Sequence, residues 1–125
     1  MKQAPLVMEE DLQLVKEYVL LPILLDVLES DITKFRTAKL KMNDIYEKSL
    51  RQVQDQIITK MAELRKQMRE RGIKVYEQQQ NKLFVEAHYL CRGYHHKFSM
   101  LWNLVRAEQY KCLNMYLHID LRKKR

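Results

Sequence analysis

The sequence predicts a mostly helical α+β fold: a long kinked helical hairpin, a small central β-hairpin or extended segment, and a closing C-terminal helix. Three observations carry this reading. Apolar residues recur at spacings of three and four from Leu12 to Met68, as in helices with one buried face. Only two glycines and two prolines interrupt 125 residues, which leaves few tight turns. Beyond Gly72 the apolar residues alternate, as in a half-buried strand. The length fits one domain over residues 1–125, with 1–8 and 119–125 as flexible ends.

The first helix opens with Glu9, Glu10 and Asp11, acids that complement the positive end of a helix. Two apolar series follow, one through Leu12, Val15 and Val19, the other through Leu14, Tyr18, Leu21, Leu25, Leu28, Ile32 and Phe35. Together they make a wide stripe that needs more than one neighbour. Pro22 lies within it and removes one backbone donor, which kinks a helix. Periodicity lapses over Lys34–Lys41, the expected first turn, and Asn43 is the expected N-cap of the second helix. That helix carries Tyr46, Leu50, Val53, Ile57, Met61, Leu64 and Met68 at the spacing of a coiled-coil-like hairpin. Lys66, Arg69 and Arg71 followed by Gly72 are the chemistry of a helix C-terminus.

After Gly72 two patterns overlap. Ile73 and Val75, then Leu83, Val85, Ala87, Tyr89 and Cys91, alternate around Gln79-Gln80-Asn81-Lys82 as a β-hairpin would. Leu83, Ala87, Leu90, Tyr94, Phe98, Leu101 and Val105 also step at helical spacing, so an all-α fold is the alternative. Gly93, costly inside a helix, and the β-favouring Ile73-Lys74-Val75-Tyr76 tip the reading to the hairpin. A last helix is expected from about residue 96 to 118, with Phe98, Leu101, Trp102, Val105, Cys112, Leu113, Tyr116 and Leu117 on one face.

The formal charge is +7, distributed as −4 over residues 1–30, +5 over 31–72 and +6 over 73–125. Such a surplus suits an anionic partner, or plain solubility. The longest apolar stretch, Tyr18 to Leu25, falls well short of a membrane span. Two cysteines without a cleavable leader point to free thiols in the cytoplasm, and no membrane partner is expected.

Three groups of residues are candidates for function. His88, Cys91 and His95 share a face if the segment is helical and offer imidazole and thiolate ligands for a metal. On a hairpin, His88 and Cys91 point to opposite faces, so the preferred reading assigns no metal and no cofactor. No orienting Asp or Asn lies near Cys91 and its histidines in sequence, so covalent catalysis is not expected and the protein is read as no enzyme. For phosphate-backbone binding the candidates are Lys34, Arg36, Lys39 and Lys41 at the first turn, Arg65, Lys66, Arg69 and Arg71 at the end of the second helix, and the tail Arg122, Lys123, Lys124 and Arg125. These would form one face if the helices fold back suitably. Phe98, Leu101 and Trp102 are candidate partner anchors.

The segments Arg71-Gly72-Ile73-Lys74-Val75, Tyr89-Leu90-Cys91-Arg92-Gly93-Tyr94 and Phe98-Ser99-Met100-Leu101-Trp102 resemble small YhjD-like proteins of Bacillus-type bacteria, mainly over residues 60–118. The resemblance implies a Gram-positive cytoplasmic origin and brings no active-site residues. The expectation is therefore a non-enzymatic interaction or regulatory module that self-associates, most simply as a homodimer. A nucleic-acid-associated protein is the alternative.

Overall fold

The structure is a computed structural model and describes residues 8–120 and 122. Its elements are α1 (Glu9–Thr37), α2 (Asn43–Glu70), β1 (Ile73–Gln80), β2 (Phe84–Cys91), β3 (Tyr94–Leu101) and α3 (Trp102–Leu117). The helical hairpin, the central β-structure and the closing helix are those the apolar spacing predicts. α1 runs through Pro22 without interruption. Asn43 is the first residue of α2 and not its cap: Met42 holds the N-cap position without a side-chain hydrogen bond, and Asn43 Oδ1 is buried without a partner. The tail residues Lys123, Lys124 and Arg125 lie outside the described residues, as do residues 1–7.

The sheet has three antiparallel strands in the order β1-β2-β3, one more than the sequence predicts. Residues 96–101, expected to open the last helix, belong instead to β3, and α3 begins only at Trp102. The cause is the pair Arg92-Gly93, with φ of 49° and 87°. Two consecutive residues at positive φ make the tight two-residue turn whose twist matches a hairpin, and Cys91 then pairs with Tyr94. The turn between β1 and β2 lies where expected. Asn81 Oδ1 accepts hydrogen bonds from the backbone N–H of Leu83 (2.7 Å) and Phe84 (2.9 Å).

One face of the sheet is buried. Val85, Ala87, Tyr89 and Cys91 of β2 join Ile73 and Phe98 in a cluster with Val15, Val19 and Leu20 of α1, Met68 of α2 and Val105 of α3. A second cluster holds Leu21, Leu24 and Leu28 against Val53, Ile57 and Leu64, with Leu113, Tyr116 and Leu117 of α3 packed on it. The two apolar series of α1 thus serve two cores, as their breadth requires. Full burial of each such side chain contributes roughly 1.5–3 kcal/mol.

The described contacts of α3 on α1 run from the Lys16–Glu108 ion pair (3.1 Å) to a cleft shared by Leu24 and Tyr116. The distal parts of α1 and α2 lie beyond these contacts and form a two-helix arm. Ile32 is buried within it. On its flank Arg36 makes a bidentate pair with Glu47 (2.8 Å each), and Glu29 accepts from Arg51 (2.6 Å) and Gln54 (3.0 Å).

Candidate functional site

The most tightly specified polar group is Asp11, fully buried in the first turn of α1. It lies one and two turns before Val15 and Val19 on the same stripe, so the helix that carries them into the core carries the carboxylate too. Its Oδ1 accepts from Arg71 Nε (2.6 Å), and its Oδ2 accepts from Arg92 Nη2 (2.8 Å) and the backbone N–H of Met8 (3.3 Å). Burial opposes ionisation, but the Arg92 and Arg71 hydrogen bonds, the Met8 amide and the Arg71 charge outweigh it and bring the carboxyl down to about 2. Arg92 also donates from Nη1 to the Arg71 carbonyl (3.2 Å), and its backbone N–H to the Gly72 carbonyl (2.8 Å). One carboxylate therefore ties together the start of α1, the end of α2 and the β2–β3 turn.

Sequence reading assigned Asp11 only to the helix dipole and did not single out Arg92. A signal was present: each glycine in the chain follows an arginine, as Arg71-Gly72 and Arg92-Gly93. Pairing of Ile73 with Cys91 sets those two dipeptides side by side at one end of the sheet. Gly72 has φ of +69°, and a Cβ there would sit 3.2 Å from Arg92 Cγ.

The three candidate metal ligands do not converge. Cys91 faces the core and donates its thiol proton to Asp11 Oδ2 (3.8 Å). Burial pushes that thiol up, and the Asp11 charge adds to the effect, so Cys91 is held as a neutral donor. His88 and His95 are on the opposite, outer face. A bulge between Val75 and Glu77 places Tyr76 between them, where its hydroxyl and His95 Nδ1 share a hydrogen bond of 3.0 Å. The Tyr76 ring lies 6.3 Å from that of His88. No group of three His, Cys, Asp or Glu side chains suited to a metal ion occurs among the described residues.

Phe98, Leu101 and Trp102 also separate. Phe98 is core, and Leu101 is 52 % exposed on the outer face. Trp102 pins α3 to the first hairpin turn, donating from Nε1 to the Asn81 carbonyl (2.6 Å) and from its backbone to that of Leu83 (3.2 Å). They make no common anchor.

The basic clusters fall at opposite ends of the hairpin. Lys34, Arg36, Lys39 and Lys41 surround its tip, while Arg65, Lys66, Arg69 and Arg71 stand near its base, separated by most of the roughly 42 Å length of the 28-residue α2. They form no single face. Arg36 and Arg71 are engaged by Glu47 and Asp11, and Arg122 by Asp120 (3.2 Å). Lys34, Lys39, Lys41 and Lys48 make no ion pair among the described residues.

Beside those lysines the tip exposes four apolar side chains within seven residues, among them Tyr46, which the apolar spacing places on the packed face of α2. Leu40 is 40 % exposed, Met42 56 %, Ile45 57 % and Tyr46 45 %. Phe35 supports this cap, its ring 5.9 Å from that of Tyr46. The other end of the hairpin carries, beside its basic cluster, a glutamate-lined groove. Glu9, Glu10, Glu17 and Glu70 line a shallow groove with Met8 and Leu14. The cations there, Lys60 and Arg71, are already paired with Glu17 (4.0 Å) and with Glu10 (3.1 Å) and Asp11.

No described helix is long and apolar enough to cross a membrane. A family model described as "YhjD protein" matches residues 6–121, both long helices included. Comparison with curated proteins and with solved structures found no match.

Proposed function

We propose that this chain, which belongs to the YhjD protein family, is a non-enzymatic interaction module that pairs with a second copy of itself. The observation that carries the reading is the cap of Leu40, Met42, Ile45 and Tyr46 at the end of a braced two-helix arm. Isolated exposed apolar residues are ordinary, but four within seven residues at the end of an arm support a contact surface.

Charge selects what the cap meets. Tip-to-tip contact would bring Lys34, Lys39, Lys41 and Lys48 of one copy against the same lysines of the other, which is unfavourable. The acidic groove at the base offers the complement: Glu9 and Glu70 make no ion pair among the described residues, and Met8 and Leu14 present apolar surface beside them. Two copies lying antiparallel place each tip on the other's base, and that contact closes on itself as a two-fold dimer. Association costs several kcal/mol of lost freedom. Four half-exposed side chains buried twice over, on the order of 1 kcal/mol each, offset that cost. The two free thiols fit a reducing cytoplasmic setting.

Phosphate-backbone binding has less support, because the basic clusters stand at opposite ends and Arg36 and Arg71 are already paired. The test is sedimentation velocity on wild type and on the double variant Met42→Glu/Ile45→Glu. Wild type is expected to be a dimer, and the variant a monomer with unchanged helical circular dichroism. A wild type that stays monomeric at high micromolar concentration, or a variant that remains dimeric, contradicts the proposal.

A further inference from the structure

The turn that joins α1 to α2 is Ala38-Lys39-Leu40-Lys41-Met42, and its chemistry is that of a helix. Ala, Lys, Leu and Met are among the strongest helix formers, whereas a chain reversal is usually built from Gly, Pro, Asn or Asp. All five residues are exposed, so no packing dictates their choice. The reversal depends on Lys39, held at φ of 55°, a conformation that is costly for a residue with a Cβ. Met42, at the N-cap of α2, makes no side-chain hydrogen bond.

The apolar pattern also runs through the turn. α1 buries Leu28 and Ile32, with Phe35 next, and α2 resumes with Tyr46, Leu50 and Val53. Steps of three and four lead from Phe35 through Lys39 and Met42 to Tyr46, so the two series form one stripe once residues 38–42 are helical. A turn that merely reverses the chain leaves the phase of the second helix free. Here local preference and phase both favour a continuous helix, and the hairpin is folded against them.

We propose that residues 38–42 are a hinge through which two copies of this chain exchange α1. Straightened, α1 and α2 make one helix from Glu9 to Glu70, about 90 Å long. Two such helices lie antiparallel, and α1 of each packs on α2, the sheet and α3 of the other. Contacts made by α1 within one copy are reproduced between copies, which is why a short hinge under strain invites exchange. Asp11 then meets Arg71 and Arg92 of the other copy, and the half-exposed Met42 and Tyr46 are covered where the two hinges cross. Exchange requires α1 to leave its core, so it belongs to chains that fold together. Docking of tip on base joins chains already folded, and neither association rests on the other.

The Glu17–Lys60 pair (4.0 Å) spans α1 and α2 and tells the two apart. Unlabelled and isotopically heavy full chains are unfolded in urea, mixed and refolded together at high concentration. The dimer fraction is then diluted and treated with a carbodiimide, which joins the Lys60 amine to the Glu17 carboxylate as an amide. Peptide mass spectrometry is expected to find roughly half of this cross-link joining a light to a heavy peptide, the share that random pairing gives. Chains mixed after folding are expected to give none. Lys39→Gly accepts the positive φ and weakens the continuous helix, so it is expected to lower the yield of exchanged dimer about tenfold, whereas Lys39→Leu raises it. A dimer whose Glu17–Lys60 cross-links all stay within one isotope overturns exchange and leaves docking of tip on base untouched. Refolding that yields only monomer overturns exchange as well, and equal yields from Lys39→Gly and Lys39→Leu overturn the hinge.

Discussion

At the residue scale, Asp11 decides how the ends of three elements meet. Two arginines, a backbone amide and a thiol point their protons at one carboxylate. Arg92 is held there at a φ of 49°, a conformation unfavourable for a side chain other than Gly, Asn or Asp. The ion pair and the bond to the Arg71 carbonyl compensate. A carboxyl lowered from 3.8 to about 2 stabilises the folded state on the order of 2 kcal/mol. The folded value is the depressed one, so that contribution is complete above about pH 4 and disappears as pH falls through about 2. Asp11→Asn is expected to cost on the order of 2–3 kcal/mol at neutral pH, because both arginines lose their counter-charge. Urea unfolding of both proteins checks this. The stability gap between them should narrow by about 2 kcal/mol between pH 5 and pH 2, whereas a gap independent of pH would remove Asp11 from its place in the fold.

At the scale of elements, what was legible in the sequence was whatever local periodicity encodes. α1, α2 and the β1–β2 hairpin follow from apolar spacing and from the chemistry of their ends, and Gly72 sits at positive φ after α2 as its neighbours predict. The third strand was hidden because Phe98, Leu101 and Val105 fit a helix as well as they fit a strand leading into one. Its inward-facing positions, Tyr94, His96, Phe98 and Met100, include polar tips that blur alternation, and Arg-Gly is a less familiar hairpin turn than Asn-Gly. The Asp11 cluster joins residues 60 and 81 positions apart, a relation no local window contains. Where α3 begins is now explained by Trp102, whose two bonds to the hairpin turn act as a hinge pin. Trp102→Phe keeps the ring but loses the bond to Asn81, at an expected cost of about 1 kcal/mol. Hydrogen exchange should report it first in α3, with α1 and α2 little changed. Uniform acceleration throughout would mean that Trp102 acts on the whole core and not on the docking of α3.

At the scale of the whole molecule, the long hairpin holds the unpaired lysines of its tip far from the glutamate-lined groove at its base. The sequence shows an acidic beginning followed by basic segments, but only folding sets the lysines around an apolar cap at one end and the glutamates around a groove at the other. Separation by the length of α2 keeps the two apart within one copy, and the proposed pairing is what would bring them together between copies. Such a contact weakens as salt screens the rim charges, while the apolar cap keeps part of the affinity. The most direct test is a charge exchange followed by sedimentation equilibrium. Lys39→Glu/Lys41→Glu and Glu9→Lys/Glu70→Lys should each weaken self-association on their own, because like charges then face one another. A single chain carrying all four changes should recover a dimer approaching wild-type strength. Failure of the combined variant to recover, or dimerisation indifferent to either pair, would contradict reciprocal docking of tip on base.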